Sequence, residues 1–82
     1  MLMNLYRLSQ TKNNGYDTYD SCVVAADTEA EAQGITPDGQ PFGFGGQWTS
    51  WADNRNQVAV RLIGVAVEGT PAGVICASFN AG

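Results

Sequence analysis

Histidine does not occur anywhere in the 82 residues. That single absence removes Ser-His-Asp triads, Cys-His dyads and every histidine-containing metal site. Cations are scarce as well: Arg7, Lys12, Arg55 and Arg61 face eight carboxylates, for a formal charge of −4. A protein that neutralises phosphates needs clustered Lys and Arg. These four are scattered, so direct nucleic-acid binding is not expected. Only two cysteines are present, Cys22 and Cys76, far from any metal-ligand spacing. Each lies in an apolar stretch (Cys22-Val23-Val24-Ala25-Ala26 and Val74-Ile75-Cys76-Ala77), which predicts two buried, reduced and poorly reactive thiols. A cross-strand disulfide is the alternative. No apolar run is long enough to cross a bilayer, and Met1–Arg7 lacks the basic start and long apolar block of a signal peptide. A cytoplasmic protein without membrane contact is expected. The rest is ordinary for one folded domain over residues 1–82: 44% of residues are hydrophobic and 15% charged.

Apolar patterning gives the layout. Met1–Leu8 places Leu2, Tyr6 and Leu8 on one parity and Met3 and Leu5 on the other, which reads as a strand with apolar residues on both faces. The polar run Thr11–Gly15 ends it, and Tyr16–Asp20 leads into a second strand, Ser21–Ala26. Thr28 followed by Glu31 forms a capping box, early glutamates suit the helix dipole, and Gly34 supplies a stop. The helix is therefore short, too short to cover a whole sheet. Thr36–Gln47 holds Pro37, Pro41 and several glycines around Phe42 and Phe44, and reads as an extended loop. Trp48 and Trp51, three apart, fall on one side of a helical turn. Gln57–Glu68 is the longest strand signal, with a parity switch beside Gly64 that suggests a bulge. Gly69–Gly73 reads as a hairpin loop into a closing strand, Val74–Phe79, with Asn80–Gly82 as a tail. The fold class is α+β: a small antiparallel four-stranded sheet with one short helix, in the order β-β-α-β-β, and a long Gly/aromatic loop. Uncovered sheet and four large aromatics beside an irregular loop also predict self-association, most simply as a two-fold dimer.

The segment Tyr16-Asp17-Thr18-Tyr19-Asp20-Ser21 is the most unusual feature. Two phenols and two carboxylates fall within five residues of an expected loop. Tyrosine gives rigid amphipathic contact area, and carboxylates select arginine or lysine on a partner. A plainer reading gives one tyrosine to the sheet and one aspartate to turn amides. Phe42, Phe44, Trp48 and Trp51 form a second candidate contact segment, which a folded core would also explain. Gly43-Phe44-Gly45-Gly46 is not followed by the Lys-Ser/Thr of a phosphate loop, and the Tyr16–Ser21 segment lacks the alternating ligands of a calcium loop. The carboxylate pairs Asp17/Asp20 and Glu29/Glu31 have no evident cause for a raised pKa, and neither cysteine has a neighbouring base. No enzymatic activity, metal or cofactor is expected.

The strand Leu5-Tyr6-Arg7-Leu8, the tyrosine–aspartate segment, the acidic capped helix and the ending Val74–Gly82 together resemble small acidic accessory proteins of phages and mobile elements. Anti-CRISPR and other anti-defence inhibitors are of this type. The resemblance lies in size, charge and layout, and no family residue is carried over. It implies a non-enzymatic inhibitor that blocks a bacterial defence complex, a host protein or ribonucleoprotein, by occupying a protein surface. The contact residues expected on that reading are Tyr16, Asp17, Tyr19, Asp20, Phe42, Phe44, Trp48 and Trp51. Two alternatives stand beside it. One is an oligomeric sponge for a signalling nucleotide, with the Phe and Trp rings stacking a base and Lys12, Arg55 or Arg61 meeting phosphates. The other is a small structural or assembly subunit.

Overall fold

The computed structural model describes residues 2–80; Met1, at the head of the expected first strand, and Ala81–Gly82 of the expected tail lie outside them. The fold class is the one the patterning predicts. Strands β1 (Asn4–Ser9), β2 (Thr18–Ala26), β3 (Ala59–Val65) and β4 (Gly73–Asn80) form one antiparallel sheet, with helix α1 (Glu29–Gln33) after the second strand. Two 3-10 turns, Gly46–Trp48 and Arg55–Gln57, punctuate the long connection between α1 and β3.

The strand order, β3-β1-β2-β4, corrects one expectation. β3 and β4 do not form a hairpin with each other. They straddle the β1–β2 pair and occupy opposite edges of the sheet. Residues 66–72 cross the end where Asn4 faces Ala26, and the crossing is anchored where the Ala66 amide donates to the Met3 carbonyl at 2.8 Å. Three inter-strand steps, about 14 Å, are well within the reach of this connection. Its turn is closed at Val67–Thr70, where the Thr70 amide and hydroxyl both donate to the Val67 carbonyl and Gly69 takes a φ of +90°. The local turn chemistry is thus as read. The pairing is not, because β1 and β2 each offer a free edge that long-range contacts fill first.

The expected parity switch is present as a bulge: Leu5 pairs with Gly64 and Tyr6 with Leu62, leaving Ile63 unpaired. On one face of the sheet Tyr6 and Leu8 of β1 stand beside Cys22, Val24 and Ala26 of β2, all buried. Ala32 of α1, Trp51, Ala52 and Val58 complete this core, with Ile35, Phe42, Tyr19 and Val60 packed around it. Thr28 caps α1 as read, its hydroxyl accepting from the Glu31 amide at 3.1 Å. Gly34 ends the helix without a left-handed conformation, its amide donating to the Glu31 carbonyl at 3.2 Å. Gln33 then ties the helix to the β3 side, its amide donating to the carbonyls of Arg55 at 2.9 Å and Val58 at 3.2 Å. The helix packs over β1, β2 and β3. β4, at the other edge, is exposed along almost its whole length.

The two cysteines part company, against the expectation that both are buried. Cys22 lies in the core, whereas Cys76 is exposed; both are free. Cys76 stands opposite Val23, not Cys22, so the thiols belong to alternate positions of neighbouring strands. Burial pushes the Cys22 thiol up to about 12, with the nearby Cys76 adding to the effect. Since the thiolate is the reactive form, an aqueous maleimide at neutral pH should label Cys76 rapidly and Cys22 only on unfolding. Intact mass after brief labelling checks this: one adduct is expected, and two fast adducts would show that Cys22 is accessible.

Candidate functional site

β2 begins earlier than the patterning implies. Thr18 and Tyr19 pair with Asn80 and Phe79 of β4, so Tyr19 and Asp20 belong to a strand and only Tyr16 and Asp17 remain in the turn. Where β1 runs out, two groups take over its place beside Tyr19. The Tyr19 amide donates to the Ser50 carbonyl at 2.7 Å, and the Tyr19 carbonyl accepts from the side chain of buried Gln10 at 2.7 Å. The same Gln10 amide nitrogen donates to the Asn13 carbonyl at 2.7 Å, while its oxygen accepts from the Asn13 backbone at 2.9 Å. One glutamine side chain thereby extends the sheet and folds back the chain that follows β1. Asn13 carries the connection further, its side chain donating to the Trp51 carbonyl at 2.6 Å. At the far end of the turn, Asp17 adopts a positive φ of 60°, tolerable for aspartate. Its amide donates to the Asn80 carbonyl at 2.6 Å, and the Asn80 side chain donates to the Gly15 carbonyl at 3.0 Å.

The tryptophans separate. The 3-10 turn ends at Trp48 and Thr49 is extended, so the two rings do not share a helical side. Trp51 is 1% exposed and fills the core beneath the sheet, whereas Trp48 is 81% exposed. Gly45 and Gly46 make this possible by taking consecutive positive φ values of 90° and 57°, which L side chains rarely adopt.

These two pieces of chain meet. Tyr16, itself 79% exposed, lines an open cleft of about 530 Å³ together with the rest of the segment 12–18, and Trp48 and Thr49 line the same cleft. A second concavity of similar volume shares Lys12 and Asn13 with the first and is closed by Gly43, Gly46 and Asp53. Lys12 therefore stands between two adjoining hollows. The cleft brings together residues from both segments singled out in the sequence: Tyr16 and Asp17 from one, Trp48 from the other.

The remaining candidates lie elsewhere. Tyr19 is half-buried, and its ring centroid lies 4.8 Å from that of Phe79 in a tilted pair. Asp20 is exposed, and a hydrogen bond from the Ser78 side chain holds its carboxyl below the ordinary range, aided by backbone amides and the charge of Arg7. Phe42 is half-buried against the core, and Phe44 is exposed. Trp51 cannot present its ring to a partner, because it is enclosed by the core, which corrects its assignment as a contact residue. The cations expected to meet phosphates do not assemble. Arg55 donates to the Ala30 carbonyl at the helix, and Arg61 stands in β3 opposite Arg7. Sequence reasoning missed Gln10 and Asn13, which hold the cleft together. In the sequence Gln10 is only a polar residue between a strand and a polar run, and its burial is visible only in the structure.

Among the described residues no group of three or more Cys, Asp or Glu could hold a metal ion, and no helix is long and apolar enough to cross a membrane. Compared with known protein families, curated proteins and solved structures, the chain matches none.

Proposed function

We propose that this protein acts without catalysis, as an inhibitor that occupies a protein surface through the Tyr16–Trp48 cleft. The observation that carries this reading is that two strongly exposed aromatic residues, Tyr16 and Trp48, line one open cleft. Tyr and Trp are the side chains that most often dominate binding energy, since each buries large rigid area at little entropic cost. Holding both in water costs solvation that a partner would recover. Asp17 at the cleft and a chain charge of −4 favour a basic partner surface, steering it electrostatically toward the site. The nucleic-acid-gripping face of a bacterial defence complex has that character, which keeps the resemblance to phage anti-defence inhibitors as the class of target proposed.

The test is affinity purification from a bacterial lysate with the parent protein and with Tyr16→Ala/Trp48→Ala, proteins and small molecules both being identified by mass spectrometry. Anchors of this kind are each worth about 2 kcal/mol when buried against a partner, so the double variant should lose binding by a factor of roughly 100 or more. Its melting temperature should barely move, because neither ring is packed. Undiminished capture by the variant would place the contact surface elsewhere. A second reading has one specific support: the cleft has the volume of a small-molecule site and joins an aromatic ring to Lys12. A nucleotide recovered with the parent and lost with the variant would establish the sponge.

A further inference from the structure

We infer that Asn14 is a site of spontaneous covalent modification: the Gly15 backbone nitrogen attacks its side-chain amide, ammonia is lost, and aspartate or isoaspartate remains in the cleft. Asn14 is the only asparagine in the chain that precedes glycine. A following residue without a Cβ is what lets the backbone nitrogen approach the side-chain carbon. Both residues are exposed, and neither belongs to a strand or a helix. A Cβ built at Gly15 would meet nothing within 4 Å, so the space around the nitrogen is open. Among the described residues the Gly15 amide donates to no backbone carbonyl, whereas the Asn13 amide is held by the Gln10 side chain at 2.9 Å.

The fold closes the same route at Asp38, the only aspartate that precedes glycine. Its carboxylate accepts from the Ser50 hydroxyl at 2.6 Å and from the Gln40 amide at 2.9 Å, while the Gly39 amide donates to the Thr36 carbonyl at 3.2 Å. Both reacting groups are engaged there, and hydrogen bonds must break before they can meet. At Asn14 the step needs only water. The Gly15 nitrogen gives up its proton and bonds to Cγ; the Cγ–Nδ2 bond breaks, and Nδ2 leaves with a proton as ammonia. Water then adds at either carbonyl of the five-membered imide, which opens to an aspartyl or an isoaspartyl link. Either product sets one more carboxylate beside Lys12 and Asp17 in the cleft. The isoaspartyl form also lengthens the backbone before Gly15, whose carbonyl accepts from the Thr18 hydroxyl at 2.7 Å and the Asn80 side chain at 3.0 Å. The tie between this turn and the end of β4 is therefore what loosens as the protein ages.

Prolonged incubation in mildly alkaline buffer tests this, with ammonia assayed and each asparagine followed by peptide mapping. In the folded parent Asn14 should convert first, to a mixture of aspartyl and isoaspartyl peptides. Asp38→Asn sets a matched Asn-Gly pair in the closed turn. Position 38 should then convert at least about tenfold more slowly than Asn14 while the variant is folded, and at the same rate in urea. Gly15→Ala, which the open space accommodates, should slow Asn14 by at least about tenfold, because a Cβ now shields the attacking nitrogen. A parent in which Asn14 lasts as long as the other asparagines overturns the inference. So does a folded Asp38→Asn variant in which position 38 keeps pace with Asn14. Both arms use the isolated chain and are independent of partner binding at the cleft.

Discussion

Trp51→Ala should remove about 3–5 kcal/mol of stability, read as a lower urea midpoint with the slope unchanged. For a chain of this length the whole folding free energy is only about 4–12 kcal/mol, so the variant should be close to unfolding at physiological temperature. The size of the effect follows from position. Trp51 is the largest of the fully buried side chains and joins the β1–β2 core to the long connection, where Ala52 and Val58 lie in the same cluster. A small core cannot close over the cavity left by an indole. Its Nε1 has no protein partner, although it is buried. Trp51→Phe deletes that unpaired donor while keeping an aromatic ring, so it should cost about 2 kcal/mol less than the alanine change. Equal losses for the two variants would mean that the indole nitrogen has a partner worth keeping. Trp48→Ala should leave the midpoint where it is, although it removes the same chemistry three residues away.

The second large effect belongs to Gln10. Gln10→Ala should cost about 1–3 kcal/mol, since it strands the carbonyls of Asn13 and Tyr19 and the amide of Asn13 beside a buried position. Hydrogen exchange gives the sharper readout. The Asn13 amide should lose protection well before the sheet does, and the partner binding proposed for the cleft should weaken with it although Gln10 does not line the cleft. Gln10→Glu sets a pH test on the same side chain. Its carboxylate would face two carbonyls that now accept hydrogen bonds from the amide, so the folded state favours the protonated acid. Its pKa is then raised above the unfolded value of about 4.3. Stability should fall as pH rises from that value through the folded one, and recover as pH drops below it. A variant indifferent to pH between these limits would show that the Gln10 side chain has swung out to solvent.

The elements were legible because each depends on near neighbours. Alternation in Val58, Val60 and Leu62 marks β3, and Thr28 caps α1 whatever the sheet does. The failures share a different cause. Tyr19 and Asp20 enter a strand only because Asn80 and Phe79 lie alongside, and the spacing of Trp48 and Trp51 implies a shared side only if the helical turn continues. It ends at Trp48, after two glycines in left-handed conformations, so the second ring turns inward. Cys76 misled in the same way: an apolar run is equally consistent with a central strand and with an uncovered edge, and only the strand order tells them apart. The cleft was half legible. Tyr16, Asp17 and Trp48 stand out by composition, whereas nothing local shows that residues some 32 positions apart in the chain line one hollow.

The straddling of β1 and β2 by the two outer strands also dictates the sequence in which the chain can assemble. The inner pair closes on itself through the short segment between Ser9 and Thr18, at little loop entropy. β3 and β4, neighbours in the chain, cannot nucleate on each other and must each find an edge that already exists. Their contacts span long separations, with Leu8 meeting Val60 and Tyr19 meeting Phe79. Folding should therefore be slow for so small a domain, as high contact order requires, and the β1–β2 pair should be formed in its rate-limiting step. A growing chain that has not yet released β4 carries its inner hairpin with one open side, and pairing of the last eight described residues moves that open side from β2 to β4.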